Sequence, residues 1–215
     1  MAKLTQAELE RHLWGAADIL RGTVDAGDYK QYIFGLLFFK RLCDVWEEEY
    51  EVLLAETGDK EEAADPDEHR FHIPKEHRWE AVRQHATQIG QRLNNALAAI
   101  EDANLRLRGV FGNVDFANQD RFSDALLERL LAHFETYRLR NADVPADMLG
   151  DAYLYLIKMF AEGAGKKGGE FYTPRSIVRL MVEILDPRPG MSVYDPTCGS
   201  AGMLLEAVQY LKDRG

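Results

Sequence analysis

The chain has 215 residues, of which 46% are apolar, and it carries a formal net charge of −10. This length and apolar content suit one large globular domain or two small ones. The longest apolar run, Ile33 to Phe39, is far shorter than the roughly 20 residues that a membrane span requires, and Met1 to Glu10 lack the hydrophobic stretch of a signal peptide. We therefore expect no membrane association and a cytoplasmic location.

Charge and cysteine content exclude two further classes of protein. Strong unaided binding to nucleic acid requires clustered lysine and arginine, and an isoelectric point near 5.1 argues against it. Cys43 and Cys198 are too few for a disulfide framework or a zinc knuckle, so we expect two thiols. Any contact with DNA must then be local or depend on a partner.

The first half of the chain is predicted to be helical almost throughout. Thr5 can cap the first helix while Glu8 reaches back to complete a capping box. Asp28 can cap a second helix, from Tyr29 to Ala55, which carries apolar residues at spacings of three and four around a broad face. Its aromatic residues are predicted to lie in the core or at an interface: Phe34, Phe38, Phe39 and Trp46.

A polar, acidic segment from Glu56 to His77 interrupts this pattern, and we expect it to be a surface excursion. It contains three histidines, His69, His72 and His77, whose uneven spacing without a nearby cysteine favours a solvated loop over a metal site. Helical periodicity then returns from Val82 to Ile100 and from Ser123 to Tyr137.

The last third of the chain mixes helix with one predicted strand. We expect a helix from Ala146 to Glu162, another that starts at Pro174 or Ser176 and runs through Ile184, and a third from Ala201 to Leu211. Met191 to Tyr194 is the one segment with convincing strand character.

The strand is followed by a glycine-rich turn in the sequence MSVYDPTCGSAGMLLEA, which begins at Met191. Asp195 stands at the carboxyl end of the predicted strand, where open α/β sheets bind ligands, and Gly199 and Gly202 let the backbone approach a ligand closely. Amides of the helix near Ala201 point into the same space. Taken alone, this pattern fits an ordinary strand-to-helix turn about equally well.

A second motif, GGEFYTP, lies just upstream and offers varied side chains to a ligand. It contains an acid at Glu170, two rings at Phe171 and Tyr172, and a hydroxyl at Thr173 that Pro174 holds in extended backbone. Such a loop could cover an adenosine or amino-acid ligand. Lys166 and Lys167, with Arg175 and Arg179, form the best local basic patch, for which a phosphate contact and a plain surface loop are equally good interpretations.

The two motifs together resemble motifs X and I of the amino-group DNA methyltransferases that use S-adenosylmethionine. More closely, the chain resembles the modification subunit of type I restriction-modification systems. The segments LRGTVDAGDYKQYIFGLLFFKRLCDVWEEE and FHIPKEHRW are similar to that family's N-terminal helical domain, so the resemblance covers nearly all of the chain.

The resemblance implies a set of cofactor-binding residues around S-adenosylmethionine. Those expected to line or shape the site are Glu170, Phe171, Tyr172, Thr173, Pro174, Arg175, Asp195, Pro196, Cys198, Gly199, Ser200, Ala201 and Gly202. Ala201 departs from the family, which often has glycine there, and its methyl group is tolerable if φ is negative. No metal is expected.

The resemblance also implies transfer of a methyl group to adenine N6 in a specific DNA sequence, which requires an Asn/Asp-Pro-Pro-aromatic segment to hold the flipped base. The 215 residues contain no Pro-Pro pair, so no catalytic residue is assigned and we expect this chain alone to be catalytically incomplete. A non-catalytic helical module that docks on other subunits is the alternative. Unrelated nucleotide binding is disfavoured, because G-x-x-x-x-G-K-[ST] is absent.

These observations predict a mainly α N-terminal domain, residues 1–140, followed by residues 141–215 as the beginning of an α/β (Rossmann-like) methyltransferase domain, truncated after its first strand-helix unit. The resemblance implies a specificity subunit, a second modification subunit and the restriction subunit as partners, with double-stranded DNA bound through the complex.

Overall fold

A computed structural model describes residues 4–24, 28–112, 114–163, 173–198 and 201–214, with backbone alone for 146, 147, 160–163 and 175. The chain divides into two compact units, Met1–Phe160 and Ala161–Gly215. The sequence-based boundary near residue 140 stays a prediction.

The helices of the described residues are α1 Gln6–Leu20, α2 Tyr29–Thr57, α3 Lys60–Ala63, α4 Trp79–Arg83, α5 Ile89–Ala103, α6 Asp124–Phe134, α7 Ala146–Gly163, α8 Arg175–Leu185 and α9 Gly202–Arg214. Single 3-10 turns lie at Pro66–Glu68, Lys75–His77 and Leu105–Leu107.

Helix α1 begins as its sequence predicts. The Glu8 amide donates to the Thr5 hydroxyl at 3.3 Å, and the Thr5 amide donates to the Glu8 carboxylate at 2.8 Å. These reciprocal bonds satisfy two of the amides that a helix start leaves unpaired. The buried face of α1 comprises Leu9, His12, Leu13, Ala16, Ala17 and Leu20.

Helix α2 is the centre of the first unit, and it confirms the predicted broad apolar face. Its 29 residues end at Thr57. The next residue, Gly58, has a φ of 70°, which suits glycine, and its amide donates to the Leu54 carbonyl at 2.9 Å. Phe39 and Trp46 are buried, and the half-buried rings of Phe34 and Phe38 stack with centroids 5.6 Å apart. The side-chain cap expected from Asp28 is wrong, because Asp28 already has helical backbone angles and makes no capping bond.

The segment from Glu56 to His77 differs from the expected surface excursion, because several of its residues are buried. Ala63 and Ile73 are fully buried. The side-chain amide of Asn104 forms two hydrogen bonds with the His72 backbone. It accepts from the His72 N–H at 2.9 Å and donates to the His72 carbonyl at 2.8 Å. Composition could not reveal the His72 contact, because its partner Asn104 lies 32 residues away.

His69 contradicts the predicted solvated histidine loop. Its ring stacks on Trp46 with centroids 4.6 Å apart, and its nitrogens contact the Glu49 carboxylate at 3.2 Å and the Ala63 carbonyl at 2.9 Å. Both ring nitrogens therefore have protein partners, and His69 is part of the packing. Among the described residues, no group of three or more His, Cys, Asp or Glu side chains is arranged to hold a metal ion.

The second unit contains α8 and α9 but not the strand predicted from Met191 to Tyr194. Residues 191–195 have no β-ladder partner, and the single β-bridge within the described ranges joins Arg21 to Val24 in the first unit. The physical reason is that a strand needs a neighbour to pair its N–H and C=O groups. Of the helices in the described ranges, none is sufficiently long and apolar to cross a bilayer.

Candidate cofactor site

The two predicted motifs lie at the starts of α8 and α9, which pack against each other. Val178 and Val182 of α8 are buried, and so is Ala207 of α9. Within the described side chains of these two helices, these three are the buried ones.

The far ends of α8 and α9 are joined by hydrogen bonds to one carboxylate. Asp186, which follows α8, accepts from the Tyr210 hydroxyl at 2.8 Å and from the Arg214 guanidinium at 3.1 Å. The C-terminal parts of both helices therefore meet at Asp186, and the two motifs lie at their other, N-terminal ends.

Sequence reasoning missed this role of Asp186. Its backbone is left-handed, with φ of 43°, and its amide donates to the Val182 carbonyl at 3.0 Å as the helix ends. Aspartate tolerates this conformation better than most residues do. The Asp-Pro pair after an apolar helix was the signal available, but the bonds to residues 24 and 28 positions later could not be read from it.

Around the first motif, the structure describes Thr173 and Pro174, both exposed, and the backbone of Arg175. Pro174 caps α8, as the sequence predicts: its carbonyl accepts from the amides of Ile177 at 2.9 Å and Val178 at 3.1 Å. Glu170, Phe171 and Tyr172 lie outside the described residues, as do Lys166 and Lys167.

The second motif begins with a local turn centred on Asp195. Its Oδ1 atom accepts from the Thr197 amide at 2.9 Å and from the Thr197 hydroxyl at 3.1 Å. This turn holds the half-buried carboxylate beside its own backbone and leaves Oδ2 for another donor. Pro196 and Cys198 are exposed, and Gly199 and Ser200 lie outside the described residues.

Ala201 is a point where expectation and structure differ. Its φ is +63°, so the negative angle that would make its methyl group tolerable is not adopted. Its amide donates to the Cys198 carbonyl at 2.6 Å, which closes the turn before α9. A left-handed residue with a Cβ atom costs about 1 kcal/mol relative to glycine. By contrast, a Cβ placed on Gly202 would meet no atom within 4 Å, so the backbone there borders open space.

Comparison with known proteins places these features in a family. The family profile of the HsdM N-terminal domain matches residues 9–134, and that of N-6 DNA Methylase matches residues 144–215. The type I restriction enzyme MjaIX methylase subunit of Methanocaldococcus jannaschii is 30% identical, over 97% of this chain and 40% of its own length. The MpnII methylase subunit of Mycoplasma pneumoniae is 28% identical, over 94% and 44%.

A solved structure agrees with these sequence relatives. The crystal structure of the type I restriction-modification system methyltransferase subunit from Streptococcus thermophilus aligns with a TM-score of 0.75 and 27% identity, over 97% of this chain and 50% of that one. The chain thus spans less than half the length of the two curated relatives. It belongs to the family of type I restriction enzyme methylase subunits, and it corresponds to their N-terminal part.

Proposed function

We propose that this chain supplies the helical domain and part of the S-adenosylmethionine site of an enzyme that methylates adenine N6 in a specific DNA sequence. The observation that supports the proposal is that α8 packs against α9 and that each of these helices begins at one of the two predicted cofactor motifs. Family membership supports the same reaction.

The described residues fit the amino-acid end of S-adenosylmethionine, which carries an ammonium and a carboxylate. Asp195 offers a half-buried carboxylate with one oxygen unused by the local turn. The open space beside Gly202 and the first amides of α9 suit the ligand's carboxylate, because helix N-termini attract anions. Phe171 and Tyr172 are proposed to pack on the ligand, and the remaining motif residues to shape the loop.

When bound, S-adenosylmethionine would supply a methyl group already activated by its sulfonium. In the proposed mechanism Asp195 holds the ammonium, while the amides after Ala201 hold the carboxylate. Phe171 and Tyr172 limit the access of water to the cofactor. The role of this chain is therefore to fix the position of the methyl donor, which is a large part of such a transfer.

The second unit also supports an α/β, Rossmann-like domain. Helix α8 exposes Ile177, Leu180, Met181, Ile184 and Leu185, and α9 exposes Leu205 and Val208. Apolar surface of this extent suits burial against a sheet, to which the segment 191–194 would contribute a strand once a neighbour is present. We propose that this sheet is built with residues that the longer relatives possess.

The adenine-binding groups are proposed to come from outside these 215 residues, because the sequence has no Pro-Pro pair. The proposed assembly contains a specificity subunit, a second modification subunit and the restriction subunit, with double-stranded DNA bound through the complex. The net charge of −10 agrees with recruitment of DNA by partners.

Calorimetric titration of the full-length enzyme with S-adenosylmethionine tests the cofactor site. Asp195→Ala should weaken binding about tenfold or more through loss of a charged hydrogen bond. Tyr172→Ala should also weaken it, through lost packing. Asp213→Ala removes an exposed carboxylate at the other end of α9 and serves as the control. Unchanged affinity in both site variants would overturn the assignment.

Transfer of tritium from labelled S-adenosylmethionine to mixed-sequence DNA tests the division of labour. The 215-residue polypeptide alone should transfer no label at enzymatic rates, whereas the full-length enzyme with its specificity subunit should label adenine. Label transferred by the short polypeptide would show that adenine is held by residues present here. A full-length complex without activity would favour the alternative, a non-catalytic docking module.

A further inference from the structure

The later part of the segment between the two family matches is bound by charged residues of α2. The matches end at residue 134 and begin at residue 144, and the connecting loop 139–144 lies against α2. Three side chains, spaced three and four residues apart on one face of α2, contact it: Arg41, Asp44 and Glu48. We call these three the α2 stripe.

Arg41 binds both ends of the loop. Its guanidinium donates to the carbonyls of Leu139 and, at 2.9 Å, Val144, and to the side chain of Asn141 at 2.6 Å. The residue is only 7% exposed, so these bonds replace water that the group has lost. A rigid guanidinium fork suits three acceptors at once better than a lysine ammonium does.

The two carboxylates of the α2 stripe bind backbone amides of the same loop. Asp44 accepts from the Leu139 amide at 2.7 Å and from the buried Lys40 ammonium at 2.5 Å. Glu48 accepts from the amides of Asn141 at 2.8 Å and Ala142 at 2.9 Å. The stripe thus satisfies polar backbone groups that the loop itself leaves unpaired.

Helix α7, which follows the loop, also packs against the helical unit. Val144, Ala152 and Leu156 are fully buried in the same apolar core as α1, α2, α5 and α6. Tyr153 packs its ring against Phe34 of α2, with centroids 4.9 Å apart. The first helix of the N-6 DNA Methylase match is therefore packed as a core element of the helical unit.

We propose that the α2 stripe is a positioning device that fixes loop 139–144 and makes α7 part of the helical unit. The stripe goes beyond the proposed function, because no cofactor or substrate is needed for it to act. As a consequence, the end of the helical unit is α7, and the chain continues from α7 towards Thr173. The loop that links the two family matches is then rigid.

Hydrogen exchange of the 215-residue chain, followed amide by amide, tests the positioning role. Glu48→Ala removes the acceptor of the Asn141 and Ala142 amides, which should exchange at least ~tenfold faster. Glu48→Gln keeps one acceptor oxygen and should retain part of the protection. Glu56→Ala, an exposed glutamate at the end of the same helix, should change neither amide.

The same measurement tests whether α7 belongs to the helical unit. In the wild type, protection factors in α7 should match those of α5 and exceed those of α8. Arg41→Lys should lower protection from residue 139 into the first turn of α7 by ~tenfold or more and spare the centre of α5. Arg129→Lys, an exposed arginine of α6, is the control. Unchanged exchange at 141 and 142 in Glu48→Ala, or α7 protection equal to that of α8, would overturn the proposal.

Discussion

His12 shows how one buried polar side chain can make the stability of the first unit depend on pH. It is 6% exposed, and its ring stacks on His133 with centroids 4.2 Å apart. Within the described part of the chain, its Nε2 atom has no hydrogen-bond partner. Burial, and secondarily the neighbouring His133, lowers the pKa of His12 from 6.5 to about 3.

This shift predicts acid sensitivity. Because the folded pKa lies below the unfolded one, the unfolded chain takes up the proton first. Stability is then complete above pH ~6.5 and falls by up to about 1.4 kcal/mol per unit as pH drops towards 3. In urea denaturation, wild type should lose about 2 kcal/mol more than His12→Phe between pH 7 and pH 5. His85→Gln, an exposed control, should retain the wild-type slope, and a His12→Phe slope equal to wild type would contradict the prediction.

Among the described glycines of the helical unit, Gly90 is the one where an added Cβ atom would come nearest to another part of the backbone. A Cβ atom there would lie 2.0 Å from the Phe116 carbonyl oxygen. Asn94 binds the same loop, accepting from the Phe116 amide at 2.9 Å and donating to Asp115 at 2.7 Å. The loop 114–117 therefore cannot retreat without losing these bonds.

We expect Gly90→Ala to destabilise the helical unit by about 2 kcal/mol or more in urea denaturation, as overpacking does. Gly150→Ala is the matched control: a Cβ there meets no atom within 4 Å, and removing glycine from inside a helix should stabilise by about 0.5–1 kcal/mol. Equal effects of the two substitutions would contradict the steric explanation.

Single residues show which contacts could be predicted from the sequence and which could not. The Thr5 cap was predictable, because its partner Glu8 is three residues away. The buried charges Arg41 and Asp44 were not, because the loop atoms that they bind lie 103 and 95 residues later. An apolar periodicity identifies which helix face is buried, but it does not identify charged residues whose burial is compensated by a distant loop.

At the scale of elements, helices were predicted well and the strand was not. A helix satisfies its hydrogen bonds internally, so α1, α2 and α7 are readable from apolar spacing, and α1 also from its capping box. A strand depends on a neighbour, and the segment 191–194 has none within the described residues. The two motifs were placed correctly at the starts of α8 and α9, while the cofactor roles of their residues stay predictions.

Helix α9 begins under backbone strain that one substitution should relieve. Ala201 has φ of +63°, a conformation that glycine adopts without the Cβ penalty of about 1 kcal/mol. Its carbonyl accepts from the Leu205 amide at 2.9 Å, so that amide reports on the first turn. Ala201→Gly should slow hydrogen exchange at Leu205 by up to about fivefold. Ala207→Gly, within the same helix, should accelerate it, and faster exchange in Ala201→Gly would show that the turn is unstrained.

At the scale of the whole molecule, apolar burial is divided unequally between the units. The continuous core runs from Leu4 to Leu156, all within the first unit. Among the described residues of the second unit, the buried large side chains are Val178 and Val182, whereas ten large apolar side chains are exposed. The exposed set comprises Ile177, Leu180, Met181, Ile184, Leu185, Met191, Val193, Tyr194, Leu205 and Val208.

This division predicts that the first unit folds on its own and the second does not. Helices of 11 and 13 residues are marginal in water without tertiary packing, and two buried valines and an alanine supply little of it. In circular dichroism, a polypeptide of residues 1–163 should melt cooperatively at the temperature of the whole chain. A polypeptide of residues 161–215 should melt without cooperativity.

Dye binding supplies an independent measurement of the same division. The exposed apolar side chains of the second unit should bind 8-anilinonaphthalene-1-sulfonate, so the whole chain should enhance its fluorescence and residues 1–163 should not. Residues 1–163 serve as the control, because this polypeptide and the whole chain both contain the first unit. A cooperative melt of residues 161–215, or equal fluorescence from both samples, would mean that the second unit has a core of its own. Its apolar helix faces would then need no sheet to cover them.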